Sequence, residues 1–228
     1  MPENTPANKT YRRIRNAIGV MGIGLPIVLI LLSFVPFFET KHQPSISHYY
    51  YTNFREIFTG VLCAVGLFLI RYDGHTNSNF FKNDSQLTNI AGWMAFGVAL
   101  FPTNNCCDAK IYTLLPICHA AIGWLHYGFA AVFFITLAII SINVFTIGQN
   151  QDESIELSIL NENNIYRTCG WLMLLFIILV PILGWLNINH YSTLILEALA
   201  LFVFGFSWLI KGRGLGDSGK LGRVLYRE

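Results

Sequence analysis

Between Ile111 and Gln151 the chain reads IYTLLPICHAAIGWLHYGFAAVFFITLAIISINVFTIGQNQ, without one Asp, Glu, Lys or Arg. A second charge-free stretch runs from Thr168 to Leu196. A soluble fold of 228 residues has no core large enough to hide segments of this length, so a bilayer has to be their solvent. The rest of the composition agrees: 54% of residues are hydrophobic and 12% charged, the latter about half the share in a soluble domain.

A helix needs roughly 20 residues to cross about 30 Å of hydrocarbon. Working outward from the charge-free stretches, six segments qualify: 17–38, 52–71, 87–104, 119–146, 168–187 and 191–210. None alternates polar with apolar residues as barrel strands do. The expected fold is therefore all-α, a polytopic bundle of six spans over residues 17–210. It is flanked by a basic segment 1–16 and a basic, Gly-rich tail 211–228. The first apolar run, Ala17 to Phe38, is too long for a signal-peptide core and continues into Glu39-Thr40-Lys41-His42 without a small-x-small cleavage site, so it reads as a retained span.

Positive charge orients the spans. With the N-terminus in the cytoplasm, the inner segments carry Lys9, Arg12, Arg13, Arg15, Arg71, Lys82, Arg167, Lys211, Arg213, Lys220, Arg223 and Arg227. The outer segments carry only Lys41, Arg55 and Lys110. This asymmetry requires an even number of spans and puts both termini in the cytoplasm. Loops 39–51 and 105–118 then face outward, while 72–86 and the acidic 148–166 face inward. Cys106, Cys107 and Cys118 lie on the oxidising side, where they either close a loop at Cys118 or stay free thiols. Small residues within the spans (Gly19, Gly22 and Gly24; Gly60 and Gly66; Gly92, Ala95 and Ala99; Ala120, Gly123 and Gly128) predict close helix packing. Pro26 and Pro181 fall inside spans.

Polar residues inside lipid are expensive and mark candidate sites. The apolar run of the second span, Ile57 to Ile70, is about 21 Å long as a helix and too short to cross. Including Thr52 to Glu56 completes it and puts Arg55 at outer-leaflet depth. Glu197 lies about 9 Å below the outer start of the sixth span near Tyr191. A charge-assisted Arg55–Glu197 pair is the economical expectation; the plainer alternatives are a helix-pinning contact and a snorkelling Arg55.

His119 and His126 are seven residues apart on the fourth span and share a helix face, yet about 10 Å along the axis separates them, too far to chelate one ion between them. Ser47 and His48 precede the second span within Pro44-Ser45-Ile46-Ser47-His48-Tyr49-Tyr50-Tyr51-Thr52-Asn53, whose tyrosines read as interfacial anchors. Thr103, Asn104, Asn105, Asp108, Asn187, Asn189 and His190 are expected at the same level.

A net charge of +2 is too small to imply nucleic acid, and the five cysteines form no C-x-x-C pair. Gly214-Leu215-Gly216-Asp217-Ser218-Gly219 matches G-x-G-x-x-G but follows no strand, so it reads as a juxtamembrane tail attracted to anionic lipid.

The stretch Ser45 to Tyr50 running into Arg55, with Gly60, Ala99-Leu100-Phe101-Pro102-Thr103 and Glu197-Ala198-Leu199-Ala200, resembles a group of uncharacterised bacterial membrane proteins. That resemblance covers most of the chain and implies no activity; it fits a multi-pass protein of the bacterial inner membrane. A more distant similarity is to the membrane hydrolases related to alkaline ceramidases and adiponectin receptors, whose seven-helix bundles hold zinc with three His beside a Ser and an Asp. Here it would enlist Ser47, His48, His119 and His126, with zinc as cofactor. The paired histidines of that family's last helix are missing.

Three functional expectations follow. The leading one is a non-enzymatic bundle binding a small ligand or lipid, without a cofactor, in an outer-leaflet pocket made by Arg55, Glu197, His126, His119, Ser47 and His48. The second is a metal-dependent intramembrane hydrolase acting on lipid. The third is a structural protein whose polar cluster only pins helices. In each, membrane lipids are partners.

Overall fold

The computed structural model describes residues 6–74, 76–103, 115, 120–147, 162–186 and 188–215. These are helical, with no strand among the described residues. The α-helices are α1 (Pro6–Leu32), α2 (Arg55–Ile70), α3 (Asp84–Leu100), α4 (Ala120–Ile139), α5 (Glu162–Leu186) and α6 (Ser192–Lys211). A π-helical turn, Ile140–Val144, prolongs α4. Each expected span has its helix, and Pro26 and Pro181 do lie inside α1 and α5.

Among the described residues, four helical stretches are long and apolar enough to cross a membrane: Lys9–Leu32, Ala120–Val144, Glu162–Leu186 and Ser192–Lys211. α2 and α3, with 16 and 17 residues, are shorter. α1 begins at Pro6, within the basic N-terminal segment 1–16, and stops at Leu32, short of Phe38. Pro36 explains the early stop: it cannot continue a helix, and the chain makes a one-turn 3-10 helix, Pro36–Phe38, instead.

Each helix packs against its neighbours in sequence, and α1 packs against α6, closing a ring. Side-chain contacts set the directions. Arg15 of α1 donates to the carbonyl of Lys211 at the end of α6 (3.5 Å) and to the Tyr72 hydroxyl just past α2. Phe101, just past α3, meets His126 near the start of α4. The helices therefore alternate up and down, and the start of α1 and the end of α6 share one end of the bundle, the foot. The opposite end, the crown, holds segment 33–54, Phe101–Thr103, His126 and Glu197.

Two glycine crossings let backbones touch. A Cβ on Gly19 would lie 2.7 Å from the Gly205 carbonyl of α6, and one on Gly92 would lie 2.7 Å from the Gly66 carbonyl of α2. Close approach replaces the missing hydrophobic force between helices in lipid. Not every small residue named from the sequence serves this purpose. Gly24, Gly60 and Gly128 face open space.

The foot is fastened by a polar network. Arg15 donates to Tyr72 through Nε (2.9 Å) and through a second guanidinium nitrogen. Tyr72 is also hydrogen-bonded to Asp84, and its phenol is pushed up by burial first and by the Asp84 carboxylate second. Lys211 donates to the Phe145 carbonyl at 2.6 Å, where the π-turn ends, and lies over the rings of Phe145 and Tyr166. Tyr166 in turn donates to Glu162 at 3.2 Å. Glu162, expected in an acidic loop, is a buried residue in the first turn of α5.

Candidate functional site

Segment 33–54 folds back over the crown instead of leaving it as an open loop. Ser45, Ile46, Ser47, Tyr49 and Tyr50 are buried. This corrects the reading of the tyrosines as interfacial anchors: Tyr49 and Tyr50 belong to the core, and the Tyr51 hydroxyl donates to the Thr103 carbonyl. The segment also caps α6, because the Leu194 amide, one of the orphan donors of that helix's first turn, reaches the Pro44 carbonyl at 2.9 Å. On the α1 side, Ser33 Oγ lies 2.8 Å from His42 Nδ1 and 3.1 Å from the Tyr49 hydroxyl.

Held this way, a 3-10 turn over Ser47–Tyr51 presents Ser47 to α4. Ser47 Oγ lies 3.0 Å from His126 Nε2, and His126 Nδ1 lies 2.6 Å from the Phe101 carbonyl. Both side chains are buried, His126 at 2% exposure and Ser47 at 9%. His48 turns the other way, and its Nδ1 meets Ser45 Oγ at 2.6 Å. Burial first, then the neighbouring His190, holds the His48 imidazole below its usual range and so favours the neutral ring.

Glu197 accepts a hydrogen bond from the Ile46 amide at 2.6 Å, and the Ser47 amide is its second backbone partner. Arg55 donates through Nε to the Tyr50 carbonyl at 2.9 Å, with its guanidinium 5.0 Å from the Tyr50 ring centre. No ion pair joins Arg55 to Glu197 among the described residues, so the expected pairing is replaced by two separate backbone engagements. The reason is geometric. Sequence depth placed both charges at one level but said nothing of their direction around the ring, and fixed backbone groups supply charge-assisted hydrogen bonds without ordering a second long side chain.

The structure thus brings Ser47, His48, His126 and Glu197 to one end of the bundle, with Arg55 beside them and His190 exposed nearby. His119, Asn104, Asn105, Asp108, Asn187 and the cysteines Cys106, Cys107 and Cys118 lie outside the described residues. Reading the sequence missed Ser45, the Phe101 carbonyl and the amides of Ile46 and Ser47. Backbone groups leave no mark in composition. It also missed the weight of Thr103, two residues beyond Phe101, whose hydroxyl is buried and lacks a hydrogen-bond partner among the described residues.

The described residues do not fit a three-histidine zinc site. No group of three His, Cys, Asp or Glu among them is placed to hold a metal. Both ring nitrogens of His126 are engaged, and Nδ1 of His48 is held by Ser45. No family model, curated protein or solved structure matches this chain.

Proposed function

We propose that the chain is an integral membrane protein of six spans, with both termini in the cytoplasm and the crown facing outward, whose crown site binds a small polar ligand or a lipid headgroup. α2 and α3 complete the count. They stand within a closed ring of membrane-length helices, and they expose Leu67, Phe68, Trp93 and Leu100 on its outside, as lipid-facing residues do. The up-and-down order supports an even number of crossings, and the cationic residues of the foot support its placement in the cytoplasm. Fusion of green fluorescent protein or alkaline phosphatase to either terminus in a bacterial host tests this. Fluorescence without phosphatase activity is expected at both ends, and active phosphatase at either end would rule the topology out.

The observation that carries the binding reading is the Thr103 hydroxyl, buried and without a partner among the described residues, two positions past the carbonyl that holds His126, in a crown that combines a carboxylate, two histidines and Ser47. A buried donor without a partner costs free energy that a ligand recovers. The rival reading, that the cluster only fastens segment 33–54, is favoured by the internal partners of Glu197 and His126. Lipid titration separates the two. Phosphatidylethanolamine or phosphatidylglycerol added to detergent-purified protein should raise its melting temperature, by about 2.7 kcal/mol of stabilisation at a hundredfold excess over Kd. Thr103→Val should weaken that response. If neither lipid shifts the wild-type transition, the fastening reading stands.

A further inference from the structure

Ser47 and His126 are 79 residues apart in sequence, and their hydrogen bond has a definite polarity. The Phe101 carbonyl can only accept, so Nδ1 of the neutral ring carries the hydrogen and Nε2 carries the lone pair. The Ser47 hydroxyl must therefore donate to Nε2. Nucleophilic catalysis needs this arrangement: a hydroxyl aimed at the basic nitrogen, and an acceptor holding the far nitrogen so that the ring cannot turn over. Here a backbone carbonyl takes the place that a carboxylate fills in a catalytic triad. The nucleophile is held as firmly as the base. The amide of Ile46 is tied to Glu197, and the Pro44 carbonyl is tied to Leu194 of α6.

We propose that Ser47 is a nucleophile and His126 its general base for acyl transfer from a carboxylic ester to water, a proposal that rests on the crown being a ligand site. His126 Nε2 takes the hydroxyl proton as Ser47 Oγ bonds to the ester carbonyl carbon, and the carbonyl π pair moves onto its oxygen. When that pair returns, the bond to the alkoxide breaks and His126 passes the proton to the departing oxygen. Water then cleaves the Ser47 ester by the same sequence, releasing a carboxylic acid and restoring the hydroxyl. The Thr103 hydroxyl, buried and without a partner among the described residues, is assigned to the developing oxyanion. Trp124 and Tyr127 of the same helix, exposed at 74% and 49%, turn an apolar aromatic face outward, while His126 itself faces the interior. An ester with a long apolar acyl chain is the substrate class that aromatic face admits.

The test uses the full chain in detergent and a long-chain alkyl fluorophosphonate, which loses fluoride as a serine oxygen bonds to phosphorus. A phosphonate adduct on Ser47, mapped by mass spectrometry, is expected in the wild type. Its formation should slow by about a hundredfold or more in His126→Gln, the usual contribution of a general base. Folded wild-type protein without a Ser47 adduct would overturn the proposal, whether or not any variant folds. So would an unchanged labelling rate in folded His126→Gln. If lipid still shifts the melting temperature while Ser47 stays unlabelled, the binding reading survives and the nucleophile assignment does not.

Discussion

Replacing Gly205 with valine should destabilise the protein by about 3 kcal/mol or more, the upper end of the usual cost of overpacking a tight contact. A Cβ there would lie 2.5 Å from the Gly19 carbonyl and 2.9 Å from the Ile23 amide. Both are backbone atoms of α1, so no side chain can swing aside and the two helices must part. Packing between these helices is van der Waals contact rather than hydrophobic association, and it falls steeply with separation. Gly24→Val provides the contrast. It lies on the same α1 but faces open space, so its cost should stay within about 0.5 kcal/mol. Equal shifts in thermal or detergent unfolding for the two variants would show that the α1–α6 crossing is not a tight contact.

Lys211→Met should also be damaging, at about 3 kcal/mol, the lower end of the cost of breaking a buried ionic group, because the cation it removes is half-buried. The ammonium donates to the Phe145 carbonyl, and the acidic side chains facing it are Glu162 and Asp84. Without it, the last turn of the π-prolonged helix loses a donor and two carboxylates lose their compensating charge. Lys211→Arg should restore part of the loss, since charge is kept and only the fit changes. Lys82→Met, on an exposed side chain, should cost little by comparison. If Lys211→Met unfolded at the wild-type midpoint, the foot network would be ornamental to stability.

The number and rough position of the helices were legible because they coincide with long apolar runs, which hydropathy reports directly. Helix ends were less legible. Hydropathy marks where lipid stops, whereas α1 continues to Pro6 through Arg12, Arg13 and Arg15, residues that helices tolerate well. The crown was half legible. Ser47, His48, His126 and Glu197 stood out as polar groups at costly depth, but their partners are carbonyls and amides, which every residue carries. The foot network was not legible. Arg15 and Lys211 entered the sequence reading only as charges that orient the spans, and their bonds to Tyr72 and Phe145, which hold four segments together, leave no mark in the charge count. A clue was available in the sequence: Tyr72 and Asp84 flank a short loop at the level of those cations.

Closing the ring through its first and last helices has a consequence for biosynthesis. Arg15 and Lys211 are 196 residues apart, and ribosomes add about 5–20 residues per second. Roughly 10–40 s of synthesis at that rate therefore separate the emergence of α1 from that of the helix it packs against. Throughout that interval the Gly19–Gly22 stripe and the Arg15 guanidinium wait without their partners on α6. A chain that stops short of α6 is not a five-helix version of this protein. It is an open arc with its first helix unmatched.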